Sequence, residues 1–220
     1  MKPAVIFDLD GTLIDSVPDI HASANRAFAP HGESFSRAEV QGFVGRGAPN
    51  LISRLAQSRG MPGAGAAFDD LLARFLEIYE QSHALTALYP GVPTALDDLA
   101  RTGARLGVCT NKPIGPTRSV LAHFGLGCFG AVVGGDSLAV KKPDPAPLLH
   151  VLDLLGGGPV IFVGDSEVDA ETAQAARVPF LLFTEGYRKT PVEALTHQAS
   201  FADFADLPGL VAGISATAAP

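Results

Sequence analysis

The fold is decided by the stretch Ala4-Val5-Ile6-Phe7-Asp8-Leu9-Asp10-Gly11-Thr12-Leu13, a short apolar run followed by two carboxylates and a glycine. Its four apolar residues predict a strand over 4–7, buried on both faces of a parallel sheet. If the strand continued, both carboxylates would point to one face and be buried unpaired, which is very costly. We therefore expect the chain to leave the strand near Asp8, with Gly11 permitting the turn. Ligands bind at the carboxyl ends of such strands, so this turn is a candidate site.

An Asp-x-Asp-Gly sequence is also typical of two other structures. A calcium-binding loop needs glycine at its sixth position and glutamate at its twelfth. Counted from Asp8, those positions hold Leu13 and Asp19, so a calcium loop is excluded. The second interpretation is a solvated turn whose aspartates cap a helix, and an isolated Asp-x-Asp would favour it.

Composition limits the classes of partner. The 220 residues are 47% hydrophobic, which argues against disorder, and the formal net charge is −7 without a basic cluster. That charge argues against nucleic acid as the main partner but permits a small anionic substrate. The sequence gives no indication of oligomeric state.

The cysteines and the hydropathy pattern bear on location. Cys109 and Cys128 form no metal-ligand pair and suggest a reducing compartment. No apolar stretch approaches the roughly 18 residues of a membrane span, and no signal-peptide pattern precedes the first strand. We expect a cytoplasmic protein with no membrane partner, and a frayed tail over residues 216–220.

Residues 16–87 have a helical pattern throughout. Pro18 suits a first helical turn, further helices are expected over 37–43 and up to about Gly60, and an amphipathic one runs from Phe68 to Tyr79. No strand is expected among them. We interpret 16–87 as a helical cap domain inserted into a core formed by 1–15 and 88–220.

After residue 88 strands and helices alternate. Strands are predicted at 105–109, 131–133 and 160–163, and a last one at 180–183, with helices between them. Such alternation calls for an open, Rossmann-like parallel sheet with helices on both faces, so the fold class is α/β.

Polar residues follow three of these strands: Asp8 with Asp10, Thr110, and Asp165 with Asp169. Taken singly, Asp165 could be a helix cap and Asp169 a first-turn acid, and Thr110 could satisfy local backbone. Together they bring four carboxylates to one edge of the sheet, where their mutual repulsion requires a cation. Because the candidate ligands are all oxygens, the pattern favours a hard ion such as Mg²⁺.

A lysine pair precedes Pro143 in the same half of the chain. Lys141 and Lys142 could be a solvated pair, but one of them can reach a phosphate at the sheet edge. Lys142, adjacent to the proline, is the better candidate.

Taken in order, these motifs resemble those of the haloacid dehalogenase-like hydrolases. The matching segments cover essentially the whole chain: Asp8-Leu9-Asp10-Gly11-Thr12-Leu13, Thr110-Asn111, Lys142-Pro143 and Gly164-Asp165-x-x-x-Asp169. Each motif is weak alone, whereas four in order are specific. Within the superfamily, the chain looks most like the phosphoglycolate phosphatase group with a helical cap.

The resemblance implies a role for each motif residue. Asp8 would be the nucleophile that forms an aspartyl-phosphate, and Asp10 would be the general acid and base. Mg²⁺ would be held by Asp8, by the backbone carbonyl of Asp10 and by Asp165, with Asp169 supporting the site. The remaining expected contacts are to phosphate or substrate, from Thr110, Lys142, Gly11, Thr12 and Asn111.

Other branches of the superfamily provide alternatives. The dehalogenase branch lacks the second aspartate, so Asp10 favours phosphate chemistry. The phosphonate-cleaving branch uses a cap lysine, and residues 16–87 contain none. A sugar-phosphate phosphatase or a β-phosphoglucomutase-like mutase stays open, as does a silent ligand-binding or regulatory protein. The expected function is hydrolysis of a small phosphomonoester, with phosphoglycolate the leading substrate.

One residue of the cap is a further candidate. Arg46 lies between two glycines in a loop expected to face the catalytic edge. It could be a solvated surface arginine, but its guanidinium could also hold the carboxylate of phosphoglycolate in two parallel hydrogen bonds.

Overall fold

The protein's computed structural model describes residues 2–217, with side chains up to residue 214. The last three residues of the expected tail, 218–220, lie outside the described residues. The final helix extends to Thr217, so residues 216 and 217 are helical instead of frayed.

A six-stranded sheet forms the core, with every neighbouring pair parallel. In chain order its strands are β1 (Ala4–Phe7), β4 (Arg105–Cys109), β5 (Ala131–Val133), β6 (Val160–Gly164), β7 (Phe180–Phe183) and β8 (Ala199–Phe201). They lie side by side in the order β5-β4-β1-β6-β7-β8. The strand that opens the sequence is therefore central, as its unbroken apolar run predicts.

Helices cover both faces of this sheet. They are α5 (Val92–Arg101), α6 (Ile114–His123), α7 (Ala146–Leu154), α8 (Glu167–Ala176) and α9 (Leu207–Thr217). The side chains of β1 alternate between two separate apolar clusters, with Val5 and Phe7 on one face and Ile6 on the other. The predicted fold class, an open parallel α/β core with an inserted helical cap, is confirmed.

The cap consists of α1 (Val17–Phe28), α2 (Arg37–Gln41), α3 (Ala48–Ser58) and α4 (Ala66–Tyr79). These helices share an apolar cluster of their own, centred on Phe28, Ile52 and Phe75. Two short strands, β2 (Ile14–Asp15) and β3 (Ala87–Leu88), pair antiparallel where the chain enters and leaves the cap. The boundaries of the cap at residues 16 and 87 stay a prediction. Residues 16–87 were expected to contain no strand, but β3 begins at Ala87, the last of these residues.

One expectation about the core was wrong. Phe180–Phe183 is not the last strand, because β8 adds to the sheet edge beside it. Only Phe201 of its three residues is buried, so the segment lacks the apolar run by which buried strands are recognised. No helix in residues 2–217 is long and apolar enough to cross a membrane.

The register of the central strands determines where the site lies. Phe7 is paired with Val108 on one side and with Val163 on the other. Each strand ends within two residues of this level, so the residues that follow them emerge at one edge of the sheet.

Candidate active site

The turn after β1 brings the first motif against the fourth. Gly11 has φ +91°, and a Cβ at this position would lie 2.6 Å from Asp165 Oδ2. Glycine is therefore required both for the backbone conformation and for the close approach. The Thr12 hydroxyl donates to Asp165 Oδ1 at 2.8 Å, so this hydroxyl orients a carboxylate.

Lys142 lies at the centre of the site, with its side chain 1% exposed. Its Nζ lies 2.9 Å from Asp8 Oδ1 and 2.6 Å from Asp169 Oδ1. Burial alone would lower the pKa of Lys142, but Asp169 and Asp8 outweigh burial and hold that pKa above its ordinary value. The lysine is therefore a charged partner of two buried carboxylates.

The single positive charge of Lys142 does not balance the negative charges of the carboxylates around it. Oxygens of Asp8, Asp165 and Asp169 lie within 4.8 Å of one another, and all three residues are buried. Burial raises the pKa of Asp8 to about 7 despite Lys142, and burial together with Asp169 and Asp8 raises the pKa of Asp165 well above its usual range. This cluster fits a hard divalent cation, since such an ion would relieve the repulsion and binds oxygen ligands.

Asp165 and Asp169 differ in their surroundings. Asp169 is fully buried, and its Oδ2 accepts hydrogen bonds from the Ser166 hydroxyl at 2.6 Å and the Ser166 N–H at 3.1 Å. With Oδ1 on Lys142, both of its oxygens are engaged. Asp165 is instead oriented by Thr12 and by the backbone N–H of Tyr187, which donates to Oδ2 at 2.6 Å. Both oxygens of Asp165 thus accept from uncharged donors, whereas Asp169 already has the Lys142 ammonium as a partner. A cation at this cluster would therefore gain more from the carboxylate of Asp165 than from that of Asp169.

Asp10 has a different cation as its partner. Lys112 Nζ lies 3.1 Å from Asp10 Oδ1 and donates to the Tyr79 hydroxyl, and the Lys112 side chain is 4% exposed. Lys112 directly follows Thr110-Asn111, but no sequence motif predicts a role for it. Its partner Tyr79 is the last residue of the predicted amphipathic helix, and no sequence signal connects the two.

The second motif contributes a hydroxyl and an amide. Thr110 is buried, and its Oγ1 accepts from the Lys112 N–H at 3.2 Å, which leaves its hydrogen able to donate. Asn111 Nδ2 donates to the carbonyls of Gly45 at 3.0 Å and Lys142 at 2.9 Å. Its Oδ1 is buried without a hydrogen-bond partner among the described residues. Asn111 therefore connects the cap loop to the core.

Backbone contacts seat the cap loop 45–47 on the catalytic edge. Besides the bond from Asn111 to Gly45, Lys141 Nζ donates to the Arg46 carbonyl at 2.9 Å. The Arg46 side chain is half exposed and lies 4.0 Å from Glu171. It lines a cleft of about 450 Å³ that also reaches Asp8 and Asp10.

A second, much smaller cavity lies beneath the cap. Its volume is about 40 Å³, and it also reaches Asp8 and Asp10. The cap contributes apolar side chains to it, including Ile20, Leu51 and Phe75, while Lys112 and Thr110 lie on the core side. Both cavities open on the same carboxylates, so a reacting group there contacts core and cap together.

Comparison with known proteins identifies the family. Residues 5–183 match the family model of the haloacid dehalogenase-like hydrolases. The chain belongs to this family. This match and the relatives described next confirm the enzyme class expected from the motifs. That class is a phosphoric monoester hydrolase of the phosphoglycolate phosphatase-like kind.

Several curated relatives of this haloacid dehalogenase-like hydrolase span nearly its full length. A phosphoglycolate phosphatase of Cereibacter sphaeroides is 50% identical over 212 residues, which cover 95% of this chain and 97% of that protein. One from Rhodobacter capsulatus is 45% identical and covers 97% and 98% of the two chains. These relatives confirm the resemblance to the phosphoglycolate phosphatase group.

Solved structures of similar fold include the crystal structure of a predicted phosphoglycolate phosphatase from Haemophilus somnus. It is 31% identical to this hydrolase, with a TM-score of 0.88, and covers 95% of this chain and 97% of its own. The structure of CbbY from Rhodobacter sphaeroides in complex with phosphate, 24% identical, has a TM-score of 0.81 and covers 94% and 96% of the two chains. The latter likeness bears on the fold alone.

Proposed function

We propose that this hydrolase cleaves a small phosphomonoester, with phosphoglycolate as its leading substrate, through an aspartyl-phosphate on Asp8. The observation that carries the proposal is the convergence of Asp8, Asp10, Lys142 and Asp165 at one sheet edge beneath a docked cap. The phosphoglycolate phosphatases that match it over nearly the full chain support the choice of substrate.

The chemistry divides between the two aspartates of the first motif. An Asp8 carboxylate oxygen attacks phosphorus as the bond from phosphorus to the leaving oxygen breaks, and Asp10 gives that oxygen a proton. Water then attacks the phosphorus of the aspartyl-phosphate, Asp10 takes a proton from this water, and Asp8 is regenerated. Lys112 holds Asp10 at the mouth of the small cavity, where the leaving group would lie.

The non-bridging phosphate oxygens need donors on the core side. Thr110 lines the small cavity and has a hydrogen to donate, and Lys142 lies beside Asp8. We assign both to these oxygens. Gly11 and Thr12 line neither of the two cavities, and the Thr12 hydroxyl donates to Asp165. Asn111 lines the small cavity, where its unpartnered Oδ1 could accept a hydrogen bond from the substrate.

The carboxylate cluster is proposed to hold Mg²⁺ through Asp8, Asp165 and the backbone carbonyl of Asp10, with Asp169 in support. When bound, the ion supplies positive charge that offsets the phosphate and the carboxylates. Burial raises the pKa of Asp8 to about 7, and a bound cation would favour the ionised form of Asp8 that attacks phosphorus.

The small cavity favours a small leaving group. Its volume of about 40 Å³ and its apolar cap wall suit a short carbon chain better than a sugar. Arg46 lines the larger cleft and not the small cavity, so as the proposed partner of the substrate carboxylate it would bind this group where the two cavities meet at Asp8 and Asp10.

The larger cleft favours a second candidate, a phosphatase or mutase acting on a phosphosugar. It offers about 450 Å³ and the cationic side chains of Arg46, Arg54 and Lys189. A mutase would convert one phosphosugar to another without net release of phosphate. A silent regulatory protein is disfavoured by the intact set of carboxylates and Lys142.

A phosphate-release screen over a metabolite panel tests the proposal. With magnesium present, we expect phosphoglycolate to give the highest kcat/KM, and phosphosugars to give lower values. Asp8→Asn protein, purified in parallel, controls for a contaminating phosphatase. Faster release from phosphosugars would refute phosphoglycolate as substrate, and no release from any phosphomonoester would refute phosphatase activity.

A further inference from the structure

The side chain of Tyr187 lies where the chain enters the cap. Its hydroxyl oxygen accepts hydrogen bonds from the N–H groups of Ser16 at 2.8 Å and Val17 at 3.2 Å, and the hydroxyl donates to Asp15 Oδ1 at 2.8 Å. Tyr187 is only 9% exposed. The first helix of the cap begins at Val17, and Ser16 makes no side-chain cap bond. A tyrosine from the core thus supplies an acceptor for two backbone N–H groups at the start of this helix, where the chain offers no partner within the helix.

The backbone of the same residue contacts the catalytic carboxylates. The Tyr187 N–H donates to Asp165 Oδ2 at 2.6 Å. A Cβ at the preceding Gly186 would lie 2.4 Å from Asp165 Oδ2 and 2.4 Å from the Gly11 carbonyl oxygen, so only glycine permits this packing. One residue therefore bonds to Asp165 through its backbone and to the start of the cap through its side chain.

Contacts on the cap side extend this connection. Asp15 also accepts from Arg37 of α2 at 2.8 Å. Asp19 of α1 accepts from the Leu85 N–H at 2.9 Å and the Thr86 hydroxyl at 2.7 Å, which ties the entering segment to the returning one. The hinge strands β2 and β3 are only two residues each, so they cannot by themselves fix the angle of the cap.

We propose that Tyr187 is a positioning residue that holds the cap in its closed orientation relative to Asp165. The proposal rests on the proposed function for its consequence in turnover, but its structural content is independent of substrate. Rotation of the cap about β2 and β3 would carry the Ser16 and Val17 amides away from the phenol. The two bonds that the hydroxyl accepts from these amides therefore favour the closed state, in which loop 45–47 contacts Asn111 and Lys141. The bond to Asp15, which lies in β2 itself, anchors the phenol to the hinge.

The test is Tyr187→Phe, which keeps the ring and the N–H to Asp165 but removes the hydroxyl. Amide hydrogen exchange, measured residue by residue by NMR on the protein without substrate, should speed up roughly three- to tenfold at Ser16 and Val17. Exchange at Ile6 in the central strand should stay unchanged. Arg37→Gln is the matched control, because it removes the exposed partner of Asp15, and it should shift exchange by less than about twofold.

Kinetics provide a second readout. With phosphoglycolate, Tyr187→Phe should raise KM roughly three- to tenfold while kcat stays within about twofold, because closure is weakened but the reacting groups are intact. The magnesium concentration for half-maximal activity should not move, since the N–H to Asp165 remains.

Unchanged exchange at Ser16 and Val17, or an equal rise throughout the central sheet, would overturn the proposal. A shift in the magnesium concentration for half-maximal activity, with the KM for phosphoglycolate unaltered, would also overturn it. If the wild-type protein does not hydrolyse phosphoglycolate, the proposed function fails, but the exchange measurement still decides the role of Tyr187.

Discussion

Asp8 and Asp10 are two residues apart and have different cations as partners. Lys142 lies against Asp8, and Lys112 lies against Asp10. Burial raises the pKa of Asp8 to about 7 even beside its lysine. Attack on phosphorus needs the ionised form of Asp8, so the proposed reaction requires a further positive charge beside this carboxylate, which the proposed Mg²⁺ would supply.

Replacing the nucleophile should abolish turnover without unfolding the protein. Asp8→Asn is similar in shape, but an amide is a poor nucleophile. Phosphate release should fall far more than tenfold while the thermal midpoint changes little. Activity retained within about tenfold, or roughly 1.4 kcal/mol of barrier, would remove Asp8 from that role.

The proton-transfer role of Asp10 has its own signature. Asp10→Asn should be severely impaired, and most for leaving groups of high basicity, because those need the proton most. The measurement is kcat/KM over a series of aryl and alkyl phosphates. Equal losses across the series would argue against Asp10 as the acid.

Arg46 is the proposed determinant of substrate choice. Its pair with Glu171 is 4.0 Å long and half exposed, so this contact contributes little and leaves the guanidinium available. Arg46→Ala should lower kcat/KM for phosphoglycolate roughly ten- to a hundredfold, since a charged hydrogen bond contributes about 1.5 to 3 kcal/mol. An aryl phosphate without a carboxylate should be hydrolysed almost as well as before.

Arg54→Ala is the matched control, because Arg54 lines the same cleft but is held over the Phe43 ring. Equal losses for both substrates in Arg46→Ala would indicate a general role of the loop in closure. Unchanged kinetics would return Arg46 to a solvated surface role.

Most of the site residues predicted from sequence follow strands, because the apolar runs and the turn after each reveal where the sheet edge lies. Lys142 and Arg46 do not follow a strand and were singled out by the adjacent proline and by the two flanking glycines. Lys112 and Tyr187 were missed for a physical reason. Tyr187 bonds to Ser16 across 171 positions of sequence, and Lys112 bonds to Tyr79 across 33. Neither partner carries a local pattern that points to the other.

Among the larger elements, buried strands and amphipathic helices followed their hydrophobic patterns closely. The first strand was predicted at 4–7 and is Ala4–Phe7. The helix α9 was missed because its sequence is largely apolar and has no amphipathic period. The other elements missed were the two-residue strands β2 and β3 and the three-residue β8, which are too short to show a period. Their pairing depends on tertiary contacts that one segment of sequence does not contain.

Two glycines of loop 45–47 allow a test of whether the contact between this loop and the core matters for activity. Gly47 has φ +84°, and a Cβ there would lie 3.0 Å from the Asn111 carbonyl oxygen, whereas Gly45 has φ +111° and open space around it. Both changes to alanine strain the backbone, but only Gly47→Ala pushes the loop off the core. Gly47→Ala should therefore lower kcat/KM for phosphoglycolate several-fold more than Gly45→Ala. Equal effects would show that loop strain, and not contact with the core, matters.

At the scale of the whole molecule, an apolar cluster in the cap and two on the faces of the sheet stabilise separate units that meet at the carboxylates. The charge balance at this meeting point predicts a dependence on metal. Chelation should remove activity and magnesium should restore it. Calcium should restore little, because its looser and higher coordination misaligns the attack.

Two variants refine the metal prediction. Asp165→Ala should raise the magnesium concentration needed for half-maximal activity more than Asp169→Ala does. The reason is that Asp169 already has the Lys142 ammonium as a partner, whereas Asp165 accepts from uncharged donors. A larger effect of Asp169→Ala would indicate that Asp169 is the direct ligand and that Asp165 supports it. Full activity in chelator, with metal removal verified, would refute the need for a cation.

Trapping the aspartyl-phosphate tests directly whether Asp8 is the nucleophile. Enzyme quenched in acid during turnover of phosphoglycolate is reduced with borohydride, which converts an acyl-phosphate of aspartate to homoserine, and the residue is located by peptide mass spectrometry. We predict homoserine at position 8, formed only with substrate and magnesium present and absent from Asp8→Asn protein. Homoserine at another aspartate, or none during verified rapid turnover under conditions that trap a known acyl-phosphate, would contradict the assignment of Asp8 as the nucleophile.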